Sequence, residues 1–322
     1  MAFDLKDLQN YSDEQSDKLI VRTAVSGPTL DKIRKQANVE TGIKTEQKIN
    51  RLGTDVVFQD GDGCGFKSAD TTKLTQRSIV VGNMKVNEEL CIRDLEKKWT
   101  QKQLPIGSDY DKIPFEQEYA ELKSDAITEA LEVAVWQGDK TSAKPNINKF
   151  DGFNKLIDAS ADVIKSNAPK YTKGAPVAEI TEDNVFDVVM GVYKAIPSKL
   201  LSKSDLEIVA GWDTFRLFVL ALTMKNLFHY NGDNANGEIV IPGTNTKLVA
   251  LPGLDLTNRV HAFRWSNMYY GTDLDLEEDQ FKFLPMESDE LVKFKARWKS
   301  GVNYAYPDEM VTFKPAPPNG GN

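Results

Sequence analysis

The sequence predicts an α+β fold, and three patterns along the chain support this prediction. Residues 114 to 137 carry apolar side chains three and four positions apart, which is typical of an amphipathic helix. Helical and strand patterns alternate between residues 176 and 265. Strand-like segments also occur at residues 56 to 86 and after residue 280. With 322 residues, the chain can bury a sizeable core and form about two compact regions.

Composition and charge exclude several classes of function. The chain has 40% hydrophobic and 27% charged residues, as ordinary folded proteins do. Its formal net charge of -8 means that the surface as a whole repels phosphate backbones, and no basic face typical of nucleic-acid binding is present in the sequence. Local basic pairs such as Lys97 and Lys98 are interpreted as solvated helix ends.

The sequence also indicates where the protein resides. Its longer apolar runs, such as residues 217 to 222, are far shorter than the roughly 20 residues that cross a bilayer. The opening MAFDLKDLQNYSDEQSDK lacks the basic start and apolar block of a secretory signal. Two cysteines, Cys64 and Cys91, are too few to staple a chain of this size, so we expect two free thiols in a reducing cytoplasm.

The amino-terminal part predicts an arm followed by a hairpin. Residues 1 to 50 are polar, and the helical spacing of Leu30 and Ile33 provides too little apolar mass for a core of their own. We therefore expect this arm either to stay loose or to order by lying on a neighbour. Residues 56 to 86 predict a long hairpin, because VVF, SIVV and MKV flank the turn-rich GDGCGFKSADTT. The DGDG within it lacks the glutamate that closes a calcium loop and is interpreted as a turn.

Two helices are predicted next. NEELCIRDLEKKW, residues 87 to 99, predicts a short amphipathic helix. A long helix follows over residues 114 to 137, with Pro114 suited to a first turn and Gly138 to a helix stop. Its predicted apolar stripe is Phe115, Tyr119, Leu122, Ala126, Ala130, Val133 and Gln137, widened by Ile127, Leu131 and Ala134.

The remainder predicts a mixed α/β unit and closing strands. After a turn-rich loop, residues 182 to 196 form an amphipathic helix begun by Thr181 or Asp183, and LEIVA at 206 to 210 is a buried strand. Asp213 then caps a second helix. Its inward residues are Phe215, Phe218, Val219 and Leu222. Short strands follow in EIVIPG, KLVALPG and RVHAFRW, later in QFKFLPM, LVKFKARWKSGVNYAY and MVTF, and KPAPPNGGN predicts a flexible tail.

No group of residues in the sequence has the pattern of a catalytic or metal site. His229 and His261 are the only histidines, and neither has acids or cysteines at ligand spacing or a nucleophile motif nearby, so both are interpreted as structural. The acidic run at 273 to 280 and the polar run at 231 to 237 have oxygen-rich chemistry but are interpreted as exposed loops. We therefore expect no catalytic, cofactor-binding or metal-binding residues and no enzymatic activity.

The order of these parts resembles that of a known family. EALEVAVWQGDKTSAKPNINKFDGFNKLI, residues 129 to 157, is similar to the end of the family's long helix, with a glycine-acid pair, a variable loop and an aspartate-glycine. LEIVAGWDTFRLFVLALTMKNL, residues 206 to 227, is similar to its central strand, turn and helix. Together with the closing strands, the chain resembles, over nearly its whole length, the Hong Kong 97-like major capsid proteins of tailed bacteriophages.

The resemblance implies a division of the chain into the parts of that capsid fold. Residues 1–50 would form the N-terminal arm, 51–86 the extended E-loop hairpin, 87–175 the peripheral domain with its spine helix at 114–137, and 176–265 the axial domain. Residues 266–322 would return to the peripheral domain and end in a C-terminal tail.

The resemblance also implies a function. The chain would self-assemble through hexamers and pentamers into the icosahedral head that encloses phage double-stranded DNA, contacting the DNA only non-specifically. Further partners would be scaffold, portal and auxiliary or decoration proteins, with no membrane and no cofactor. The protein would reside in the capsid of the virion and be assembled in the bacterial host cytoplasm.

Two departures and two alternatives accompany this interpretation. Many family members begin with a removable scaffolding segment, whereas about fifty polar residues precede the hairpin here, so we expect a separate scaffold or an already mature sequence. The lysine, asparagine and acid that crosslink some members cannot be matched. One alternative is a bacterial nanocompartment (encapsulin-like) shell protein with an inner groove for cargo peptides. The other is a cation-dependent carbohydrate-binding or hydrolytic domain that uses the acidic loops.

Overall fold

The computed structural model describes residues 27–58, 71–91, 115–225, 237–273, 281–286 and 291–317. The helices in these ranges are α1 (Pro28–Lys35), α2 (Phe115–Gln137), α3 (Phe153–Ala159), α4 (Val185–Ala195) and α5 (Trp212–Met224). The strands are β1 (Val39–Glu40), β2 (Glu46–Asp55), β3 (Thr71–Val80), β4 (Gly82–Cys91), β5 (Ile164–Lys165), β6 (Leu206–Ala210), β7 (Glu238–Val240), β8 (Lys247–Ala250), β9 (Val260–Arg264), β10 (Met268–Thr272), β11 (Phe281–Met286), β12 (Leu291–Tyr304) and β13 (Val311–Phe313).

The strands form two sheets and one separate ribbon. In the five-stranded sheet, β12 pairs with β10, β11 and β4, and β1 extends the β10 edge. The six-stranded sheet has the order β5-β13-β9-β6-β8-β7. The ribbon is the antiparallel pair β2 and β3. Mixed helix and sheet agree with the predicted α+β class, and the strands predicted at residues 206 to 210 and from residue 238 onward are confirmed.

Each sheet has its own hydrophobic core. In the first, α2 and α3 pack against the five-stranded sheet. Its largest buried side chains include Trp136, Phe153, Tyr270, Phe294 and Tyr304. In the second, α4 and α5 cover the six-stranded sheet, with Val188, Ile208, Phe218 and Leu248 buried between them. The chain therefore forms two compact regions, as its length predicts.

Helix α1 corrects the prediction for the amino-terminal arm. Leu30 and Ile33 are completely buried in the first core of their own subunit. Asn38, just beyond the helix, donates from Nδ2 to the carbonyl oxygens of Ser266 (2.8 Å) and Met268 (3.0 Å). The expectation that this part of the chain stays loose or lies on a neighbour is therefore wrong for residues 27–50, because two buried aliphatic side chains and these hydrogen bonds suffice to dock a short helix.

The predicted helix at residues 87–99 is wrong for its first part. Strand β4 continues through Cys91, and the rest of that stretch lies outside the described residues. Its ladder with β12 runs from Gly82 opposite Ser300 to Cys91 opposite Leu291. The side chains of Met84 and Val86 point toward the core, so the residues of β4 alternate as those of a half-buried strand do. Pairing with a distant strand overrides a local preference for helix.

The hairpin also differs from its prediction. Its strands are 46–55 and 71–80, whereas VVF at 56–58 follows β2 as exposed non-strand chain and MKV belongs to β4. Most of the predicted turn, residues 61–70 with Cys64, and the DGDG at residues 60–63 lie outside the described range, and its last two residues, Thr71 and Thr72, begin β3. The first strand was missed because EQKINRLGTD is mostly polar and its partner supplies the ordering contacts.

Helix α2 spans nearly the predicted residues but buries only one side of the predicted apolar stripe. Ser124, Ile127, Leu131 and Ala134 are buried, whereas Leu122 is 63% exposed and Ala126 is exposed. The prediction is therefore confirmed for Ile127, Leu131 and Ala134, which were expected to widen the stripe, and is wrong for Leu122 and Ala126 at its centre. Both faces carry apolar residues at helical spacing, so periodicity by itself could not choose between them.

Two helix starts also differ from prediction. Helix α5 begins after Gly211, and Asp213 lies in its first turn, where Oδ2 accepts a hydrogen bond from the backbone N–H of Leu256 (3.2 Å). Helix α4 begins after Asn184 rather than Thr181 or Asp183. The Asn184 side chain instead accepts from the backbone N–H of Thr181 at 2.8 Å, which fixes the preceding turn.

Candidate assembly surface

The base of the β2-β3 ribbon is fixed to the body of the subunit. Ile49 and Ile79 are buried in a small cluster with Ile43 and Ala305. A Cβ atom added at Gly301 of β12 would lie 2.4 Å from the carbonyl oxygen of Val80, so glycine permits the close approach of β3 to the sheet. The buried isoleucines therefore hold one end of the ribbon on its own subunit.

Arginine side chains on the same face add polar contacts. The guanidinium of Arg77 lies 4.1 Å from the ring centroid of Tyr304, and that of Arg51 lies 4.9 Å from the ring of Tyr306. Arg51 also forms an ion pair with Asp308, with Nη2 and Oδ1 2.7 Å apart. These contacts fix the direction in which the ribbon leaves the sheet.

The opposite face of the ribbon is open. Leu52 and Leu74 stand directly opposite each other and are 61% and 65% exposed. The neighbouring pair on this face is polar, and Gln76 Nε2 donates a hydrogen bond to Asn50 Oδ1 (2.9 Å). Beyond the leucines, Val56 and Val57 are exposed and Phe58 is 96% exposed. We call the apolar surface formed by Leu52, Leu74, Val56 and Phe58 the ribbon patch, and these four side chains are exposed in the described structure.

A buried carboxylate lies where α1 meets α2. Glu132 accepts hydrogen bonds from the backbone N–H of Thr29 (3.2 Å) and from the Thr29 hydroxyl. That hydroxyl in turn accepts from Trp136 Nε1 at 2.7 Å. A glutamate within the apolar run ALEVAVW was a signal of a buried polar contact that the sequence interpretation did not use. The contact ties the start of α1 to the long helix.

Helix α1 is also tied to the six-stranded sheet. Lys32 Nζ lies 2.6 Å from a carboxylate oxygen of Glu207 and 3.0 Å from one of Glu238, and 5.5 Å from the ring of Trp265. Trp265 Nε1 donates to Glu207 at 2.6 Å. Helix α1 therefore bridges the two compact regions, with Glu132 on one side and these partly buried carboxylates on the other.

We expect Glu132 to make stability depend on pH. Burial raises the pKa of its carboxyl from 4.5 to about 7, although the Thr29 hydrogen bonds oppose this and Asp31 adds to it. Between those values the folded chain binds the proton more readily than the unfolded chain, so this contribution to stability grows as the pH falls from about 8 to about 5. A pKa shift of this size changes the free energy of unfolding by about 3 kcal/mol over that pH range.

The measurement is urea unfolding of wild type and Glu132→Gln at pH 8 and pH 5. Glutamine has the shape of the protonated glutamate and no charge. The free energy of unfolding of the variant should therefore exceed that of wild type at pH 8, and this difference should disappear at pH 5. The two proteins must be compared with each other at each pH, because His261 also makes stability depend on pH. Burial lowers the pKa of His261 to about 3, so this residue destabilises the folded chain as the pH falls, in both proteins alike. An equal difference at both pH values would contradict the assignment.

His261 lies in the core, as the sequence interpretation predicted for it. It is completely buried, its Nε2 lies 2.9 Å from Asn154 Oδ1, and its ring stacks on Trp136 with centroids 5.6 Å apart. His229 lies outside the described residues. A buried imidazole held neutral between an amide and an indole is a packing element.

The acidic stretches lie mostly outside the described residues. Of the run at 273 to 280, only Asp273 is described, and its Oδ1 accepts a hydrogen bond from the backbone N–H of Lys299 (2.6 Å). The run at 231 to 237 is described only at Gly237. Within the described ranges, no group of three or more His, Cys, Asp or Glu could hold a metal ion. No helix in the described part of the chain has both the length and the apolar character needed to span a bilayer.

Comparison with known proteins identifies the fold. No protein-family model and no curated protein sequence matches the chain. Among solved structures, it is similar to a chain of the satellite phage P4 procapsid that includes the size determination (Sid) protein, with TM-score 0.61, 11% identity, and 98% of this chain and 91% of that chain covered. It is also similar to the cyanophage A-1(L) capsid, with TM-score 0.56, 10% identity, and 90% and 93% covered.

A third similar structure is the capsid of an empty GTA particle, with TM-score 0.53, 13% identity, and 88% of this chain and 89% of that chain covered. Each of these matches covers 88% or more of the chain, so the likeness is not limited to one motif. Sequence identity of this level carries no information on individual residues. The likeness is one of architecture, and the chain has the fold of a tailed-phage major capsid protein.

Proposed function

We propose that this chain is a major capsid protein that self-assembles into the icosahedral head of a tailed phage. The observation that carries the proposal is the ribbon, whose base is held by buried Ile49 and Ile79 while Leu52 and Leu74 remain exposed farther along. A two-stranded ribbon is marginal in water by itself. Its open apolar face therefore needs a cover, and an adjacent subunit of a shell provides one.

The geometry of such a contact favours closed rings. The ribbon patch and whatever surface receives it are different parts of the subunit, so the contact is heterologous, and heterologous contacts that close make rings such as pentamers and hexamers. Each contact can be modest, near the roughly 1,600 Å² of a standard interface, because each subunit makes several at once.

In this proposal the elements take the roles of the Hong Kong 97-like fold. The ribbon is the E-loop, α2 is the spine helix beside the five-stranded sheet of the peripheral domain, and the six-stranded sheet with α4 and α5 is the axial domain. The protein is then a non-enzymatic component of the virion, assembled in the host cytoplasm with scaffold, portal and auxiliary proteins. The net charge of -8 supports an inner wall that encloses DNA without holding it.

The test is assembly of the purified chain. We expect sedimentation velocity and negative-stain microscopy to show rings, sheets or closed particles that grow with protein concentration. A protein that remains monomeric at concentrations of hundreds of micromolar, with or without a scaffolding partner, would contradict the proposal. Particles that capture a cargo enzyme instead of DNA would favour the nanocompartment alternative, and a monomer that responds to calcium would favour the carbohydrate-binding or hydrolytic alternative.

A further inference from the structure

One face of the five-stranded sheet carries a row of cations. Strand β12 alternates along its length, and its residues Phe294, Ala296 and Trp298 are buried in the core with α2. The residues between them point to the opposite face of the sheet, as does the residue of β4 that stands directly opposite Arg297. All of these cations are exposed or partly exposed. We call them the basic face, which consists of Lys85, Lys293, Lys295, Arg297 and Lys299.

The basic face reverses the overall charge of the protein. The chain has a net charge of -8, yet five cations are collected on one side of two neighbouring strands. The sequence interpretation did not recognise this face, because each cation of β12 is separated from the next by a core residue. A surface of this kind attracts anions.

Like charges stand directly opposite each other in this face. Arg297 is opposite Lys85 in the register of β12 with β4, and Lys295 is opposite Lys282 in the register of β12 with β11. Like charges at such positions destabilise a sheet, whereas an acid at either position would stabilise it. An anion that binds between the cations would offset this cost.

Carboxylates already contact both ends of the row. At one end, Glu89 of β4 forms an ion pair with Lys293, with Oε1 and Nζ 3.3 Å apart. At the other end, Asp273 Oδ1 accepts a hydrogen bond from the backbone N–H of Lys299 (2.6 Å). Between these ends, no carboxylate of the described residues forms an ion pair with Lys295 or Arg297. The middle of the row therefore has the chemistry of its ends without their acidic partners.

We infer that the basic face binds an extended acidic segment of a partner protein, with carboxylates at alternate positions. Successive cations of β12 are two residues apart, so they recur about every 6.8 Å along the strand. An extended polypeptide repeats the side chains of one side at the same interval, so each carboxylate can meet one cation. The phosphates of one strand of duplex DNA recur every ~3.4 Å along its axis, so a duplex would leave about every second phosphate unmatched.

Several ion pairs made at once would supply the affinity. Each pair is partly open to solvent and is weak by itself, so binding should weaken as the salt concentration rises. The inference concerns a single subunit and does not involve the ribbon patch. It can therefore be tested on the monomer, and its failure would leave the assembly proposal untouched.

Fluorescence anisotropy with the full-length chain tests the inference. The probe is a labelled peptide of about ten residues in which glutamate alternates with serine, long enough to span the row. Binding is measured at low salt and at dilutions where the protein sediments as a monomer. We expect Lys295→Glu with Arg297→Glu to weaken binding at least tenfold. The unfolding midpoint in urea should not fall, because each new acid stands opposite a lysine of a neighbouring strand.

The matched control is Lys173→Glu with Lys203→Glu, which makes the same change in charge at exposed positions outside the five-stranded sheet. This variant should bind the peptide about as tightly as wild type does. A second peptide of the same composition, with its glutamates consecutive, should bind more weakly than the alternating one. Equal binding of the two peptides, or equal loss in the two protein variants, would overturn the inference.

A further variant removes competition from the acidic run of the chain itself, with Asp275→Asn, Glu277→Gln, Glu278→Gln and Asp279→Asn. Peptide binding that appears only in this variant would assign the basic face to that run and overturn the inference. No binding to either protein at hundreds of micromolar would overturn it as well. Duplex DNA that binds wild type more tightly than the peptide, and is lost with Lys295→Glu and Arg297→Glu, would assign the face to nucleic acid instead.

Discussion

Replacing Leu52 by lysine and Leu74 by glutamate is expected to give a folded subunit that no longer assembles. The two side chains are directly opposite each other on the open face of the ribbon, so the new charges can pair across the strands and preserve it. Burying each leucine in an interface is worth about 1.5–3 kcal/mol, and burying charges there costs more. Replacing both leucines therefore lowers the association constant of each contact between subunits at least a hundredfold.

Sedimentation velocity and urea unfolding together check this prediction. Particles should disappear at concentrations where wild type assembles, while the unfolding midpoint changes little, because both positions are exposed in the subunit. The matched control is Asn50→Ser with Gln76→Ser, which removes the hydrogen-bonded side-chain pair beside the leucines and should leave assembly intact. Normal particles from the charged variant, or its failure to fold, would contradict the assigned role of the ribbon patch.

The second large effect is expected at Leu131. This side chain is completely buried between α2 and the five-stranded sheet, so Leu131→Ala should destabilise the subunit by about 2–5 kcal/mol through lost burial and the cavity left behind. Leu122→Ala, on the same helix, should cost less than about 1 kcal/mol. Its side chain is 63% exposed, so the substitution removes little buried apolar surface.

Urea denaturation of the two variants decides between the faces of α2. The comparison is matched, since each substitution removes the same atoms from the same helix. A larger loss of unfolding free energy for Leu122→Ala than for Leu131→Ala would mean that the stripe through Leu122 faces the core, as the sequence pattern had suggested, and would contradict the packing described for α2.

Much of the local structure could be predicted from residue patterns. Apolar spacing, with Pro114 before and Gly138 after, located α2 to within one residue. The run LEIVA located β6, and Pro-Gly pairs separated the strands that follow. These predictions succeed because the signals are local. Side chains, turns and helix ends within a few residues determine whether a segment can form a given helix or strand.

The candidate assembly surface could be predicted only in outline. A hairpin was expected, but its first strand was placed too late in the chain, and Leu52 and Leu74 were not recognised. EQKINRLGTD has little of the alternation that marks a half-buried strand, and its order depends on pairing with β3. Likewise residues 87–91 of β4, predicted as the start of a helix, take their form from β12, about two hundred residues farther along the chain.

The sequence by itself therefore determined the class of fold, the extent of α2 and most strands of the six-stranded sheet. Only the tertiary structure decided which face of α2 is buried, that α1 docks onto its own subunit through Glu132 and Lys32, and which leucines of the ribbon stay open. The reason is that periodicity reports how apolar residues are spaced along one element. Which of two apolar faces becomes core depends on the partners that the rest of the chain brings against it.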